Sequence, residues 1–452
     1  MNTSLQKLTV KEKVGYSLGD TASHFVWDMV GFWLLFFYTD VYGIPAAAAG
    51  TIMMIARFWD MAIDPVIGIV SDRTNTRWGK FRPYILFGAV PYAILAVLTF
   101  TTPEWGQVGK IIYAGATYVL LMTAYAFINL PYSALGAVMS ADTYERAGLN
   151  TYRFIAGFIG QLIVTGLALT LADFFGGNDK AQGFQYTVAL FSALSLVFFF
   201  ITFKTTKERV QPPKQQKESV KEDVRNLFNN SAWVVLAIVG IVSFIMFAMQ
   251  NAAIAYYFKY YLEREDNVQL FNVVGTVALI VALPLSKPLA KRFGNRNVFI
   301  ASSLISGLFF MLIYIADVTD LTTIYVFNII AKMAYAPSVP LLWTMIADSA
   351  DYGEWKSGRR STGLYFSAAV FAQKAGWGIG AALAGWILSI SSFIPNVQQT
   401  ETALTGIKLL VSVIPGILYM SCAIFMLFYK INSKTTEIMK KELDERRSAS
   451  TY

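Results

Sequence analysis

Apolar runs long enough to cross a bilayer recur from one end of this chain to the other, and that recurrence decides what it can fold into. A helix needs about 20 predominantly apolar residues to span roughly 30 Å of hydrocarbon. The runs that qualify are 14–39, 45–70, 83–101, 107–139, 148–173, 184–203, 233–260, 268–290, 297–316, 321–347, 362–391 and 404–429. The expected fold class is an all-α polytopic membrane protein of twelve transmembrane helices. A soluble fold is excluded by composition, since 55% of the 452 residues are hydrophobic and only 15% are charged. The first run is too long and too polar for a cleaved signal peptide and is expected to stay in the mature protein.

Charge sets the orientation. The segments assigned to the cytoplasm hold 27 Lys and Arg residues against five on the opposite side, which places both termini inside a plasma membrane, here the bacterial inner membrane. The net charge of +8 is dispersed over short membrane-flanking loops, so topology accounts for it and no nucleic-acid partner is implied. Cys422 is the only cysteine, which rules out a disulfide framework and reads as a packing residue.

The longest polar stretch between spans runs from Lys204 to Asn230 and contains two prolines and alternating charges. It divides the spans six and six. The expected domains are an N-terminal half (1–203), a solvated cytoplasmic connector (204–231) ending in a short amphipathic helix over Ser219–Phe228, a C-terminal half (232–430) and a cytoplasmic tail (431–452). A weak echo between the turns after the second and eighth spans, GIVSDRTNTRWGKFRP from Gly68 and LSKPLAKRFGNRN from Leu285, suggests duplication of one half.

Polar side chains inside the spans carry the functional reading. Asp60 and Asp64 lie i, i+4 on one helical face within an apolar run, where a carboxylate is costly unless it meets a cation or a proton. Asp20, His24 and Asp28 form a stripe on the first helix with Trp27 beside them. The fourth helix supplies Tyr125, Asn129, Tyr132 and Ser133 around Pro131, and the fifth supplies Arg153 and Gln161. Aromatic faces suit the C–H surface of a sugar ring, whereas Asn, His, Asp and Arg exchange directed hydrogen bonds with its hydroxyls. The competing reading is that Asn129 and Arg153 only cross-link helices. His24, the sole histidine, is read as a sugar contact, with packing and proton carriage as alternatives.

In the second half Lys374 lies in a Gly/Ala-rich helix and is expected to face the Asp60/Asp64 carboxylates, lowering the cost of their charge. The tenth span contributes Lys332, Tyr335, Pro337, Pro340 and Trp343, with prolines that can interrupt a helix lining a cavity. Two charged clusters at cytoplasmic span ends read either as topology signals or as gates. They are Asp72, Arg73 and Arg77 in the first half, and Asp348, Asp351, Glu354, Lys356, Arg359 and Arg360 in the second. No phosphate-binding loop and no zinc-protease motif occurs in the sequence, so an enzyme or an ATP-driven pump is not expected and no cofactor is implied.

Six motifs now bear on family. They are YTDVYG from Tyr38, ARFWDMAIDP from Ala56, RWGKFRP from Arg77, NLPYSALG from Asn129, YRF from Tyr152 and DSADYGEWKSG from Asp348. In these the chain resembles the glycoside–pentoside–hexuronide:cation symporter family, the melibiose permease-like branch of the major facilitator superfamily, from about Lys11 to Lys430. The resemblance implies two six-helix halves around a sugar pathway, with sugar and H+, Na+ or Li+ moving together. It implies cation coupling through Asp60 and Asp64, which would be the metal ligands if Na+ is the ion, a central lysine at Lys374 and a sugar-pocket arginine at Arg153. His24 and Asn129 stand where melibiose-transporting members carry aspartates, and Ser133 replaces a pocket tryptophan. An α-galactoside is therefore not the expected cargo; another glycoside, a xyloside or a hexuronide is. With fewer carboxylates near the cation region, H+ is expected ahead of Na+. The working particle is expected to be a monomer, and a passive sugar uniporter on the same fold is the alternative function.

Overall fold

The computed structural model describes residues 7–140, 142–210, 220–358 and 361–431, together with 435, 438, 439, 441–443 and 445. The described residues are helical throughout, joined by short turns. In order the helices are α1 (Val10–Phe36), α2 (Ala46–Arg73), α3 (Arg82–Thr99), α4 (Gln107–Met139), α5 (Thr143–Gly176), α6 (Lys180–Thr205), α7 (Val220–Asn229) and α8 (Ser231–Tyr256). They continue with α9 (Asn267–Ala282), α10 (Ser286–Phe293), α11 (Asn295–Leu312), α12 (Leu321–Tyr335), α13 (Ser338–Ser357), α14 (Thr362–Ile390), α15 (Glu401–Val411) and α16 (Val413–Met426).

Nine helical stretches among the described residues are long and apolar enough to cross a membrane. Helices α1, α2 and α14 are outside that set although they run to 27, 28 and 29 residues, about 40 Å each at 1.5 Å per residue. Their apolar character is diluted by ionisable and amide side chains: Asp20, His24 and Asp28 in α1, Arg57, Asp60 and Asp64 in α2, Gln373 and Lys374 in α14. The expected tenth span is two helices, α12 and α13, divided at Ala336–Pro337, where proline supplies no N–H to continue the ladder. The expected twelfth span is likewise divided, at Ser412. The amphipathic helix expected at the end of the connector is α7.

The chain divides into two compact units: Met1–Gln215 with Glu265–Val273 and Ala381–Ala403, and Gln216–Arg264 with Val274–Gly380 and Leu404–Tyr452. In the first, α1 packs on α5 and α6, α3 on α4 and α6, and α2 on α4. In the second, α8 packs on α16 and α13, and α11 on α16 and α12. Its core holds Leu236, Phe299, Met345, Tyr429 and Cys422, whose thiol is fully buried 3.6 Å from the Ser243 hydroxyl.

Helices α1 and α8 end in the same way. Beyond α1, a π turn over Phe37–Val41 closes with Tyr42 N–H donating to Phe37 C=O (2.8 Å) and Ile44 N–H to Tyr38 C=O (2.7 Å). Beyond α8, a π turn over Tyr257–Tyr261 closes with Leu262 N–H donating to Tyr257 C=O (2.9 Å) and Arg264 N–H to Phe258 C=O (2.8 Å). This repeat in hydrogen bonding is independent of the weak sequence echo between loops.

The start of the connector is pinned rather than solvated. Glu208 accepts from the backbone N–H groups of Lys80 (2.8 Å), Phe81 (2.8 Å) and Arg82 (3.2 Å), satisfying donors that α3 leaves open at its N-terminus. Gly79, at φ 107°, is required there, because a Cβ would enter the Glu208 carboxylate. Next to it, Arg209 pairs with Glu12 of α1. Glu208→Ala is therefore expected to cost about 1–3 kcal/mol. A thermal melt of the purified variant indistinguishable from wild type would contradict this role.

Candidate functional site: a charged track in the first unit

Helix α1 presents its polar stripe to α5 across two glycines. At Gly157 a Cβ would lie 2.9 Å from both Asp20 Oδ2 and His24 Nε2, and at Gly160 it would lie 2.9 Å from His24 Cβ. The absent side chains on α5 make room for the charged edge of α1. Arg153, one turn earlier on α5, donates from Nε to Asp20 Oδ1 at 2.9 Å, with side-chain exposures of 25% and 12%. Its guanidinium lies 5.2 Å from the Tyr132 ring centre. Tyr132 is held by a reciprocal clasp with Tyr16. The rings stack at 4.6 Å, Tyr132 Oη donates to Tyr16 C=O (2.8 Å) and Tyr16 Oη donates to Tyr132 C=O (3.1 Å).

His24 turns to its own helix, with Nδ1 2.8 Å from Asp28 Oδ2. The histidine therefore has the carboxylate partner that the i, i+4 spacing allows, and Asp28 is buried while His24 keeps some exposure. Trp27 stacks on Tyr125 of α4 with ring centres 4.5 Å apart. On the Trp27 ring lies Arg57 of α2, its Cζ 3.9 Å from the ring centre, within cation–π range.

Arg57 is a buried cation of this track that the sequence reading did not single out. It is 3% exposed and sits three residues before Asp60, which is fully buried. Tyr125 lies in the field of Asp20, Arg57, Asp60 and Arg153 together, and Tyr118 in that of Arg57 and Asp60. The signal was present in ARFWDMAIDP: a cation in the same apolar run as two carboxylates, at a spacing that places it near their face. Asp64, one turn beyond Asp60, is only partly buried. Asn129 is partly buried and its amide makes no hydrogen bond among the described residues; Ser133 is exposed.

Two expected site residues belong to the second unit. Trp343 stacks on Phe366 at 6.4 Å beside its core, and Lys374 lies partly buried on α14. At the expected gates, Arg73 is exposed at the end of α2 and Arg77 lies over the Trp78 ring at 4.2 Å. The Asp72 side chain and Arg359 lie outside the described residues. Asp348 is buried and accepts from Asn295 Nδ2 at 3.4 Å, while Asp351 and Glu354 are partly buried on the same helix. Lys356 does not join these carboxylates; it lies over the rings of Trp355 (4.8 Å) and Tyr352 (5.9 Å). Among the described residues no group of three His, Cys, Asp or Glu side chains is arranged to hold a metal ion.

The glycine contacts give a direct test of the α1–α5 edge. Gly157→Ala is expected to displace Asp20 and His24 and to cost about 1–3 kcal/mol of overpacking. Gly68→Ala, where a Cβ would meet nothing within 4 Å, is the control. Equal melting temperatures and equal cargo affinity in the two variants would show that the edge is not fixed as described.

Comparison with known proteins agrees with this architecture. The inner membrane symporter YicJ of Escherichia coli K12 is 34% identical over 97% of this chain and 95% of its own length. The isoprimeverose transporter of Lactiplantibacillus pentosus is 33% identical over 96% and 91%, and the glucuronide carrier protein homolog of Escherichia coli K12 is 31% identical over 98% and 97%. Among solved structures, a D-xylose-proton symporter superposes with a TM-score of 0.65 at 14% identity, covering 94% of this chain and 98% of that one. The nucleoside transporter NupG superposes with a TM-score of 0.62 at 15% identity, covering 93% and 99%. These last two establish a shared fold. The family description MFS/sugar transport protein matches residues 15–433. The work of this protein is transport through transmembrane helices and not catalysis, and the chain belongs to the MFS/sugar transport protein family.

Proposed function

We propose that the protein is a secondary active symporter of the glycoside–pentoside–hexuronide:cation type, importing a glycoside, pentoside or hexuronide together with H+ or Na+. Its twelve spans form two six-helix halves, it works as a monomer in the bacterial inner membrane, and both termini are cytoplasmic. The observation that carries the reading is the charged track of the first unit: a fully buried Asp60 beside Arg57, and Asp20 paired with Arg153, all on helices otherwise built for lipid. Ionisable residues inside a membrane mark ion and substrate paths. The names of the relatives, a symporter of the inner membrane, an isoprimeverose transporter and a glucuronide carrier homolog, favour a sugar cargo and that location.

In this reading Asp60 and Asp64 bind the coupling cation. The sugar is met by His24, Trp27, Asp28, Tyr125, Asn129, Ser133 and Arg153 from the first half, and by Trp343 and Lys374 from the second. The free amide of Asn129 and the stacked Trp27–Tyr125 face supply the polar and ring-matching elements. The cation favours the sugar-binding arrangement and the sugar favours cation binding, as linkage requires. Rocking of one half against the other then exposes the site to the opposite side, with the charged clusters around Arg77 and Asp348 as cytoplasmic gates. H+ ranks ahead of Na+, because Asn129 brings no carboxylate to the cation region and fewer negative ligands weaken the electrostatic case for Na+.

Uptake of labelled xylosides, glucosides, galactosides and glucuronides into proteoliposomes, with Na+ and H+ gradients imposed separately, tests the proposal. Accumulation of one sugar under one gradient is expected. Equilibration independent of both gradients would make the protein a uniporter and Asp60/Asp64 a structural pair. His24→Gln is expected to weaken sugar affinity while leaving pH-driven uptake in place; loss of pH coupling alone would instead make the His24–Asp28 pair a proton carrier.

A further inference from the structure

Among its described residues the second unit holds a cation that no carboxylate neutralises. Lys332 lies on α12, within the stretch Leu321–Ser357 that is apolar enough to cross a membrane. Its ammonium makes one hydrogen bond, to Gln250 Oε1 on α8 at 3.3 Å, and among the described residues no acidic side chain pairs with it. The rings of Phe247 and Phe310 stand 5.5 and 5.8 Å away, at the outer limit of cation–π attraction. They flank the charge without balancing it.

The position is built, not incidental. Gln250 is 1% exposed and donates from Nε2 to Val411 C=O at 3.4 Å, which turns its carbonyl oxygen toward the lysine. On α9 a Cβ at Gly275 would come within 3.5 Å of Lys332 Cγ and 2.8 Å of the Asn328 amide, so the lysine stem is fixed by a glycine face. The side chain nevertheless keeps part of its surface open. A second polar group waits on the same aromatic wall: the Tyr419 hydroxyl is buried without a hydrogen-bond partner among the described residues, and its ring lies 6.2 Å from Phe310 and 5.1 Å from Tyr335. An ammonium has three donors, and Gln250 uses one.

Charged side chains at membrane depth are costly; they face a bundle interior or a cavity, pair with one another or with backbone carbonyls, and mark substrate and ion pathways. In the first unit Arg153 has Asp20 as its resident partner; Lys332 has a neutral amide. We infer that the partner of Lys332 arrives with the cargo: Lys332, oriented by Gln250, is the recognition point for a carboxylate, so that the transported sugar is an acidic one, a hexuronic acid or its glycoside. The inference rests on the transport reading above and narrows its substrate class. A charge-assisted hydrogen bond from the ammonium to a carboxylate oxygen is short and strong in such surroundings.

The experiment compares methyl β-D-glucuronide with methyl β-D-glucoside, identical but for the carboxylate, by counterflow into proteoliposomes holding the full-length protein. Wild type is expected to favour the glucuronide by about tenfold or more, corresponding to at least ~1.4 kcal/mol. Lys332→Met should lose that preference while still moving the neutral sugar, and Lys332→Arg should keep it. Unchanged selectivity in Lys332→Met, or loss of both fluxes in a folded Lys332→Met, would overturn the inference by making the lysine a bystander or a part of the coupling machinery. If Lys332→Met does not fold, wild type decides: thermal protection by the glucuronide and not by the glucoside supports the subsite, and equal protection overturns it. Flux of neutral sugars without the glucuronide overturns this inference and leaves sugar transport standing, whereas no flux of any sugar removes both.

Discussion

Asp60→Asn is expected to abolish accumulation of sugar against its gradient while leaving sugar exchange across the membrane. The substitution keeps the shape of a side chain that is 0% exposed and removes its ability to hold a proton or a cation. The apparent sugar affinity should then lose its dependence on the coupling ion, a dependence that in coupled sites amounts to roughly 5–150-fold. Asp64→Asn should act in the same direction with a smaller effect, since Asp64 is only partly buried and so less dependent on a partner. Binding titrations at high and low cation concentration check both variants. A full cation response in Asp60→Asn would remove Asp60 from the coupling site and turn attention to Arg57 beside it.

The second large effect concerns the Asp20–Arg153 pair. Breaking a buried pair by removing one partner costs about 3–5 kcal/mol, because the charge left behind has nothing to compensate it. Arg153→Gln is expected near the lower end of that range, since the arginine side chain keeps 25% of its surface exposed. Asp20→Asn should cost a similar amount. Asp20→Asn/Arg153→Gln together should recover much of the stability but none of the sugar binding, separating the architectural role of the pair from its role toward cargo. Thermal melts and sugar titrations of the four proteins complete the cycle. A double variant as unstable as the sum of the singles would show that the two side chains do not act as a pair.

The site was legible in outline because charges are conspicuous in lipid-spanning sequence. Asp20, His24, Asp28, Asp60, Asp64 and Arg153 stand out wherever they fall, and helical spacing alone brings His24 to Asp28. What escaped was anything that depends on a neighbour in another helix. Arg57 needed Trp27 beneath it to stand out, and Gly157 and Gly160 are ordinary glycines until α1 is laid against them. The connector looked solvated because a polar run carries no sign that Glu208 will cap a helix more than a hundred residues earlier in the chain. Of the fold, the helices were legible from apolar length. The breaks at Ala336–Pro337 and Ser412 differed in this respect, one carrying proline as its marker and the other having none. The two π turns have no local sequence mark, since an i→i+5 bond depends on how the next helix is held.

Cys422 has a practical consequence. The one thiol of the chain is enclosed among Leu236, Met345 and Tyr429 and faces the Ser243 hydroxyl. A maleimide or a spin label added to the folded protein therefore finds no native site to react with. A cysteine placed at an exposed position such as Arg73 or Ser133 would be the only one labelled. The wild-type background is thus already suited to site-directed spectroscopy, and distances between pairs of introduced probes can follow the transport cycle without first rebuilding the core.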